Sequence, residues 1–406
     1  MGHVRITPLD GKIPNLALMR LAAWHRARGD VVHFRPSIER TFDEPEYERV
    51  YASAIFKTTA KKTALFLQHF PGAVVGGTGS GNPVTVEDIT GAEFEGVDYL
   101  SYMETVTKRK KGEKIVFQQP WSPSIGFTQR GCRLKCGFCV VPKKEGKNKS
   151  VNTINEIWRG DPWPRNILLL DNDFFGQELW RERIAEMREG RFKVCFSQGI
   201  NVRKVDDEVA EALASVEYRD GKFKERRLYT AWDNLGDERV FFDGVDTLER
   251  HGIKANDLMA YMLIGYDKRE TWDKIHYRFD KMAERGIEPF VMVFDPKDVA
   301  RKKFQRWANM GLYRLFPFAE YDAGHKTKNQ MPDQLSLFDT AGPGFGPGVA
   351  SFEERDDDAI TAMAVEMGTE DNALAVIATR LGRSKHSIAN RMRTLGLLGD
   401  AEDRAA

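Results

Sequence analysis

The sequence predicts an α/β chain: a small parallel sheet first, then six strand–helix repeats, then a small all-α module. Three observations predict it. Short apolar or β-branched runs alternate with helical patterns as far as about Phe318. Three of the four cysteines crowd into one loop behind a strand-like run. From Tyr321 to Gly348 the composition turns rich in Gly, Pro, Asn, Gln and Asp before helical spacing returns. At 406 residues the chain is too long for one ordinary domain, so two or three are expected. Lys+Arg (61) and Asp+Glu (60) nearly cancel, so any affinity for nucleic acid must come from a local patch. Four cysteines, three of them clustered, are no disulfide framework and suggest a reducing compartment. Met1 to Asp10 lack a basic-then-apolar signal pattern, and no apolar run approaches the length of a membrane span. A soluble cytoplasmic protein without a membrane partner is expected.

In chain order, Leu18, Leu21, Ala22 and His25 mark one helical face, and Gly29 ends that helix before the strand Val31-Val32-His33-Phe34. A strand at Tyr51 to Phe56, a helix to about His69 and a strand at Gly72 to Val75 complete a small parallel sheet. The layout resembles the Rossmann-like, cobalamin-binding type of domain, here given residues 1–115. That family's Asp-x-His-x-x-Gly motif is not kept: Leu67 stands at the Asp position before His69-Phe70-Pro71-Gly72. Cobalamin is therefore not expected, and His69 reads as a helix-end residue. Gly76 to Gly81 reads as a strand-to-turn connection, because no helix N-terminus follows it to receive a phosphate. Lys108 to Lys114 reads as a basic, solvated connector loop; the alternative is that, together with Lys143, Lys144, Lys147 and Lys149, it flanks the active-site mouth and faces a phosphate-rich substrate.

The cysteine loop is Gly131-Cys132-Arg133-Leu134-Lys135-Cys136-Gly137-Phe138-Cys139, directly after Ser124 to Thr128. Soft thiolates at Cys-x-x-x-Cys-x-x-Cys spacing suit an iron–sulfur cluster or zinc. A closed zinc site wants a fourth ligand, whereas three cysteines on a cluster leave one iron open. The stretch resembles the radical S-adenosylmethionine (radical SAM) enzymes, as does the aromatic Phe138 before the last cysteine. The resemblance implies that Cys132, Cys136 and Cys139 bind a 4Fe-4S cluster whose open iron takes SAM. A low-potential donor such as flavodoxin or ferredoxin would reduce it, and the resulting 5′-deoxyadenosyl radical would abstract hydrogen from a substrate. A zinc loop borrowing a distant fourth ligand is the plain alternative. Cys195, inside a strand, reads as a small buried apolar residue.

Further strands are expected at Asn166 to Leu170, Lys193 to Ser197, Arg227 to Asp233, Leu258 to Gly265 and Pro289 to Pro296. With the strand before the cysteines they make six βα units, which by the same resemblance are a partial (β/α)6 TIM-type barrel over residues 116–318. Chemistry in such a fold gathers at the C-terminal strand ends. Asp171, Asn172 and Asp173 stand where the family's second-strand motif meets the amino group of SAM, with the usual Gly-Gly-Glu replaced. Gly265, in Leu263 to Thr271, matches the fifth-strand motif that borders the adenine. Ser197, Gln198, Arg203 and Asp233 are candidate ribose or carboxylate contacts.

Residues 319–352 read as a linker carrying Gln334-Leu335-Ser336-Leu337-Phe338, which resembles the peptide by which bacterial polymerases and repair proteins dock on the sliding clamp. Gln334, Leu335, Leu337 and Phe338 would be the anchors. Residues 353–406 follow with one helix from Asp371 to Leu381, a stop at Gly382, and a second capped by Ser384 with Ile388, Met392 and Leu395 on its buried face. The pattern resembles Myb-like or helix-turn-helix modules and implies a DNA-facing surface of Lys385, His386, Asn390, Arg391 and Arg393. The functional expectation is radical SAM modification of a nucleic acid or nucleotide. The alternatives are a peptide, lipid or small-metabolite substrate, or an iron–sulfur DNA-binding adaptor without turnover.

Overall fold

The computed structural model describes residues 1–11, 13–91, 96–110 and 113–321, and beyond these only isolated positions between 360 and 397. The first strands are β1 (His3–Pro8), β2 (Val31–Phe34), β3 (Arg49–Ser53) and β4 (Val74–Gly76), all parallel in the order β2-β1-β3-β4. Helices α1 (Leu16–Ala27) and α2 (Ala60–His69) connect them, a Rossmann-like layer. Asn15 caps α1 by accepting the Leu18 N–H at 3.2 Å, and Leu18, Leu21, Ala22 and His25 are buried as their spacing predicts. His69 is exposed at the end of α2. After β4 the glycine loop folds back on β3: the Gly79 N–H donates to the Ala54 carbonyl at 2.8 Å. A short helix α3 (Glu87–Thr90) follows.

In this first part of the chain, two features differ from the sequence reading. Strand β1 was not expected, because its alternation is broken by Arg5 at a core position. Arg5 is fully buried, paired with Glu44, bonded to the Ser37 carbonyl at 2.6 Å and seated 4.5 Å above the Phe70 ring. A central parallel strand is buried on both faces, so the charge is tolerated only with those partners. The basic connector is an antiparallel hairpin, β5 (Met103–Lys110) with β6 (Glu113–Pro120). Thr105-Val106-Thr107 and Ile115-Val116-Phe117 supply the β-branched and aromatic content that the run of charges obscured.

The second half alternates strand and helix. Its parallel strands are β7 (Ser124–Gly126), β10 (Asn166–Leu169), β11 (Lys193–Phe196), β12 (Glu217–Tyr218), β13 (Leu228–Ala231), β14 (Leu258–Ile264) and β15 (Glu288–Val293). A small antiparallel pair, β8 (Gln129–Arg130) with β9 (Lys149–Ser150), brackets the cysteine loop. The helices are α4 (Val141–Lys144), α5 (Ile154–Ile157), α6 (Trp180–Glu189), α7 (Asp207–Ala214), α8 (Glu238–Arg250), α9 (Trp272–Glu284) and α10 (Val299–Asn309). Caps follow the sequence: Thr153 and Glu156 form a capping box on α5, Asp206 caps α7 and Thr271 caps α9.

The strands fall into two ladders, β12-β11-β10-β7 and β13-β14-β15, rather than one. The Ile200 N–H, just past β11, reaches the Tyr229 carbonyl of β13 at 2.7 Å. Ile125, Leu168, Cys195, Tyr229, Met259, Tyr261 and Phe290 share one buried cluster, and Met19 of α1 completes it. Cys195 is thus a core residue, as expected.

Residues up to Asn309 belong to one compact unit; Met310 to Tyr321 and the C-terminal positions belong to a second. In that second unit, Ile360, Ala364, Ile377, Ile388 and Met392 are helical and buried, and Leu395 is half-buried in a turn. Gln334, Leu335, Leu337 and Phe338, like Lys385, His386, Asn390, Arg391 and Arg393, lie outside the described residues. Among the described residues no helix is long and apolar enough to cross a membrane.

Candidate functional site

Strand β7 ends at Gly126, and Thr128 to Arg130 turn the chain into the cysteine loop. Gln129 is buried and its amide donates to the Arg130 and Gly131 carbonyls at 2.6 and 2.7 Å, which fixes the entry to the loop. The exit is held by the Cys132 N–H, which donates to the Gly146 carbonyl at 3.3 Å. All three loop thiols are half-buried and free of disulfides. Tyr266 lies close over Gly137: a Cβ at that position would be 2.5 Å from its hydroxyl oxygen, so a larger residue there would push the ring aside.

Asp173, after β10, is the clamp on this loop. Its carboxylate accepts the Arg133 backbone N–H at 3.3 Å, the Asn148 amide at 3.0 Å and the Arg133 guanidinium at 3.0 Å. Asp171 turns the other way: Oδ1 accepts the Thr128 N–H at 2.8 Å, and Oδ2 accepts the Thr128 hydroxyl. Both carboxylates are thereby engaged within the chain, and Asn172 lies half-buried between them. From β11, the Ser197 hydroxyl donates to the Leu169 carbonyl, and Gln198 donates to Ser197 at 3.5 Å. Arg203 ion-pairs with Asp237 at 2.5 Å and lies beside the Cys136 thiol. Asp233, after β13, accepts the Leu263 N–H at 2.8 Å and also sits near Cys136. Gly265, after β14, has φ +81°, a conformation that favours glycine, and a Cβ there would press on Arg301 at 3.0 Å.

The structure therefore brings Asp173 to Cys132, Arg203 and Asp233 to Cys136, and the Gly265-Tyr266 turn to Gly137 and Phe138. Ser197 and Asp171 are occupied in holding neighbouring strands. Sequence reasoning missed Arg133, Asn148, Gln129 and Arg278 as supports of the site; only Arg133, lying inside the cysteine motif, carried a local signal. Arg278 is fully buried and donates to the Trp232 carbonyl at 2.6 Å, the Leu263 carbonyl at 3.0 Å and the Glu270 carboxylate, so it ties the ends of β13 and β14 together.

Burial pushes the Cys132 thiol up to about 11, with Asp173, Cys139 and Cys136 adding to the shift. Burial raises Cys136 as well, against the pull of Arg203. Thiols held protonated at neutral pH bind metal only by giving up those protons. Among the described residues, no three His, Cys, Asp or Glu side chains are already drawn into a metal-holding arrangement. The donor set still fits a thiolate-bound iron–sulfur cluster: three free sulfurs on one loop, close enough to shift one another, with cationic Arg133 and Arg203 nearby.

Burial also raises Asp171, from 3.8 to about 7, against the Thr128 hydrogen bonds. The folded state thus holds a proton that the unfolded chain releases, so this carboxyl takes stability away as pH rises from about 4 to about 7. Asp171→Asn should flatten that part of the stability profile. Urea midpoints of the two proteins should converge near pH 4 and separate by pH 7, with the variant higher; parallel profiles would refute it.

No protein-family model matches the chain. Over 95 residues it is 30% identical to the ribosomal protein uS12 methylthiotransferase RimO of Aquifex aeolicus (strain VF5), a stretch covering 21% of this chain. The same stretch spans 22% of that relative's length.

Proposed function

We propose that the chain is a radical SAM enzyme whose cluster is held by Cys132, Cys136 and Cys139 and whose substrate is a nucleic acid or nucleotide. The observation that carries the reading is the three free thiols on one loop at the C-terminal ends of parallel strands, walled by Asp173, Arg203, Asp233 and the Gly265-Tyr266 turn. The short likeness to a methylthiotransferase, an enzyme of radical SAM type, supports the same class. When bound, the cluster and SAM would supply one-electron cleavage of the sulfonium. The chain's own residues do the rest. Asp173 and Gln129 fix the loop, Arg203 offers a cation to a carboxylate, Asp233 offers an acceptor, and Phe138 packs edge-on against Tyr266 at the loop's edge.

We read β7, β10, β11, β13, β14 and β15 as an open (β/α)6 barrel; their shared core cluster supports this. The relative's name favours one second reading, in which the substrate is a protein side chain. In the tail, Gln334 to Phe338 would dock on a sliding clamp and Lys385 to Arg393 on DNA, two weak contacts that linkage makes strong together. One anaerobic preparation tests these proposals. With a strong reductant it should convert SAM to 5′-deoxyadenosine and should capture purified clamp. Leu337→Ala with Phe338→Ala should lose the clamp and keep the cleavage. Zinc in place of iron, with no SAM turnover, would sink the enzyme reading.

A further inference from the structure

The rim of the cysteine loop is strongly basic, although the chain as a whole is nearly neutral. Of the seven charged groups from Arg133 to Lys149, six are cations, in a protein of net charge +1. The one acid, Glu145, is taken by Arg130 at 2.9 Å, and Arg133 is taken by Asp173. Lys135, Lys143, Lys144, Lys147 and Lys149 remain, all exposed and none ion-paired among the described residues; Lys144 donates to the Thr78 hydroxyl at 3.3 Å. A ladder of rings starts from Phe138 in the same loop. Phe138 packs edge-on against Tyr266 with centroids 5.4 Å apart, and Tyr266 against Phe294 at 5.0 Å. Tyr266 and Phe294 are 41% and 50% exposed, so ring surface faces solvent at the end of β15.

We propose that this rim is a platform for single-stranded nucleic acid, which it presents to the cysteine loop; the inference rests on the enzyme reading above. Five uncompensated lysines match a chain of phosphates, and open rings match unpaired bases, which stack on any aromatic face. An acidic peptide would satisfy the lysines and leave the rings without a partner. A duplex would do the same, because its base faces are stacked inside.

The test uses the full chain with Lys385, Arg391 and Arg393 replaced by Ala throughout, so that tail contacts do not contribute. Binding of a labelled single strand of about 20 nucleotides, longer than the usual site size, is measured over a salt series. DNA, RNA, duplex and inorganic polyphosphate are compared. Lys143→Glu with Lys147→Glu and Lys149→Glu should weaken strand binding tenfold or more and lower the salt slope by about two. Phe294→Ala should weaken it about tenfold while leaving polyphosphate binding unchanged. The milder Lys→Gln triple variant should show a smaller loss in the same direction, which guards against misfolding of the charge-reversed protein. A tighter complex with either DNA or RNA supports the platform and names the sugar. Preference for duplex, or no effect of Phe294→Ala, overturns it. Cluster content and SAM cleavage are read on the same proteins: strand binding without SAM cleavage would remove the enzyme reading and leave the platform standing.

Discussion

Replacing Cys136 by Ala should bring the iron of anaerobically reconstituted protein from about four per chain to near none. The SAM-cleaving activity should vanish with it. Two thiols cannot hold a cluster that three hold with one iron left open, and the remaining cysteine, Cys195, is buried in the core cluster. Cys195→Ala is the matched control. Cys195 is buried in the shared core with Ile125 and Leu168, so its loss removes one sulfur's packing, about 1 kcal/mol of stability, and should leave iron content and absorbance unchanged. Equal iron in the Cys136 variant and the wild type would show that the loop is not the ligand set.

Arg278→Met should be among the most destabilising single changes in the chain, costing about 3–5 kcal/mol. The guanidinium is fully buried, and its removal leaves two strand-end carbonyls and the Glu270 carboxylate without their donor. A buried charge left unpaired dominates that sum. Pairing the change with Glu270→Gln should therefore recover part of the loss, since the orphaned charge goes with it. Urea unfolding of the two single variants and the double variant checks this. Strictly additive losses would mean that the pair is not coupled. Because Glu270 also accepts the Gly265 N–H at 3.4 Å, the Arg278 variant should loosen the turn that carries Tyr266.

Periodicity made most of the scaffold legible. The stripe Leu18, Leu21, Ala22 and His25 and the apolar runs at Ile167 and Leu258 each depend on neighbours within one turn or one strand. What escaped depended on distant partners. Arg5 looks like a surface residue until Glu44 and Phe70 are brought to it, so β1 was invisible. Lys108 to Lys110 look like a solvated loop until Glu113 to Ile115 pair with them. The cysteines marked the candidate site by spacing alone. Its supports did not, because Arg133 meets Asp173 and Gly137 meets Tyr266 only after the strands align; no local pattern records a contact across so much chain.

Met19, in the first helix, fills the same cluster as Phe290 of the last strand. The ribosome must therefore add the whole run between them before that core can close, on the order of 10–50 s at ordinary elongation rates. The first sheet needs nothing beyond Gly76 and can form early, but the apolar face that holds Met19 then waits uncovered while the strands emerge one by one. Nascent chains of this protein should engage trigger-type chaperones during that interval. Slowing translation before residue 290 should lower the soluble yield, whereas slowing it after residue 310 should not.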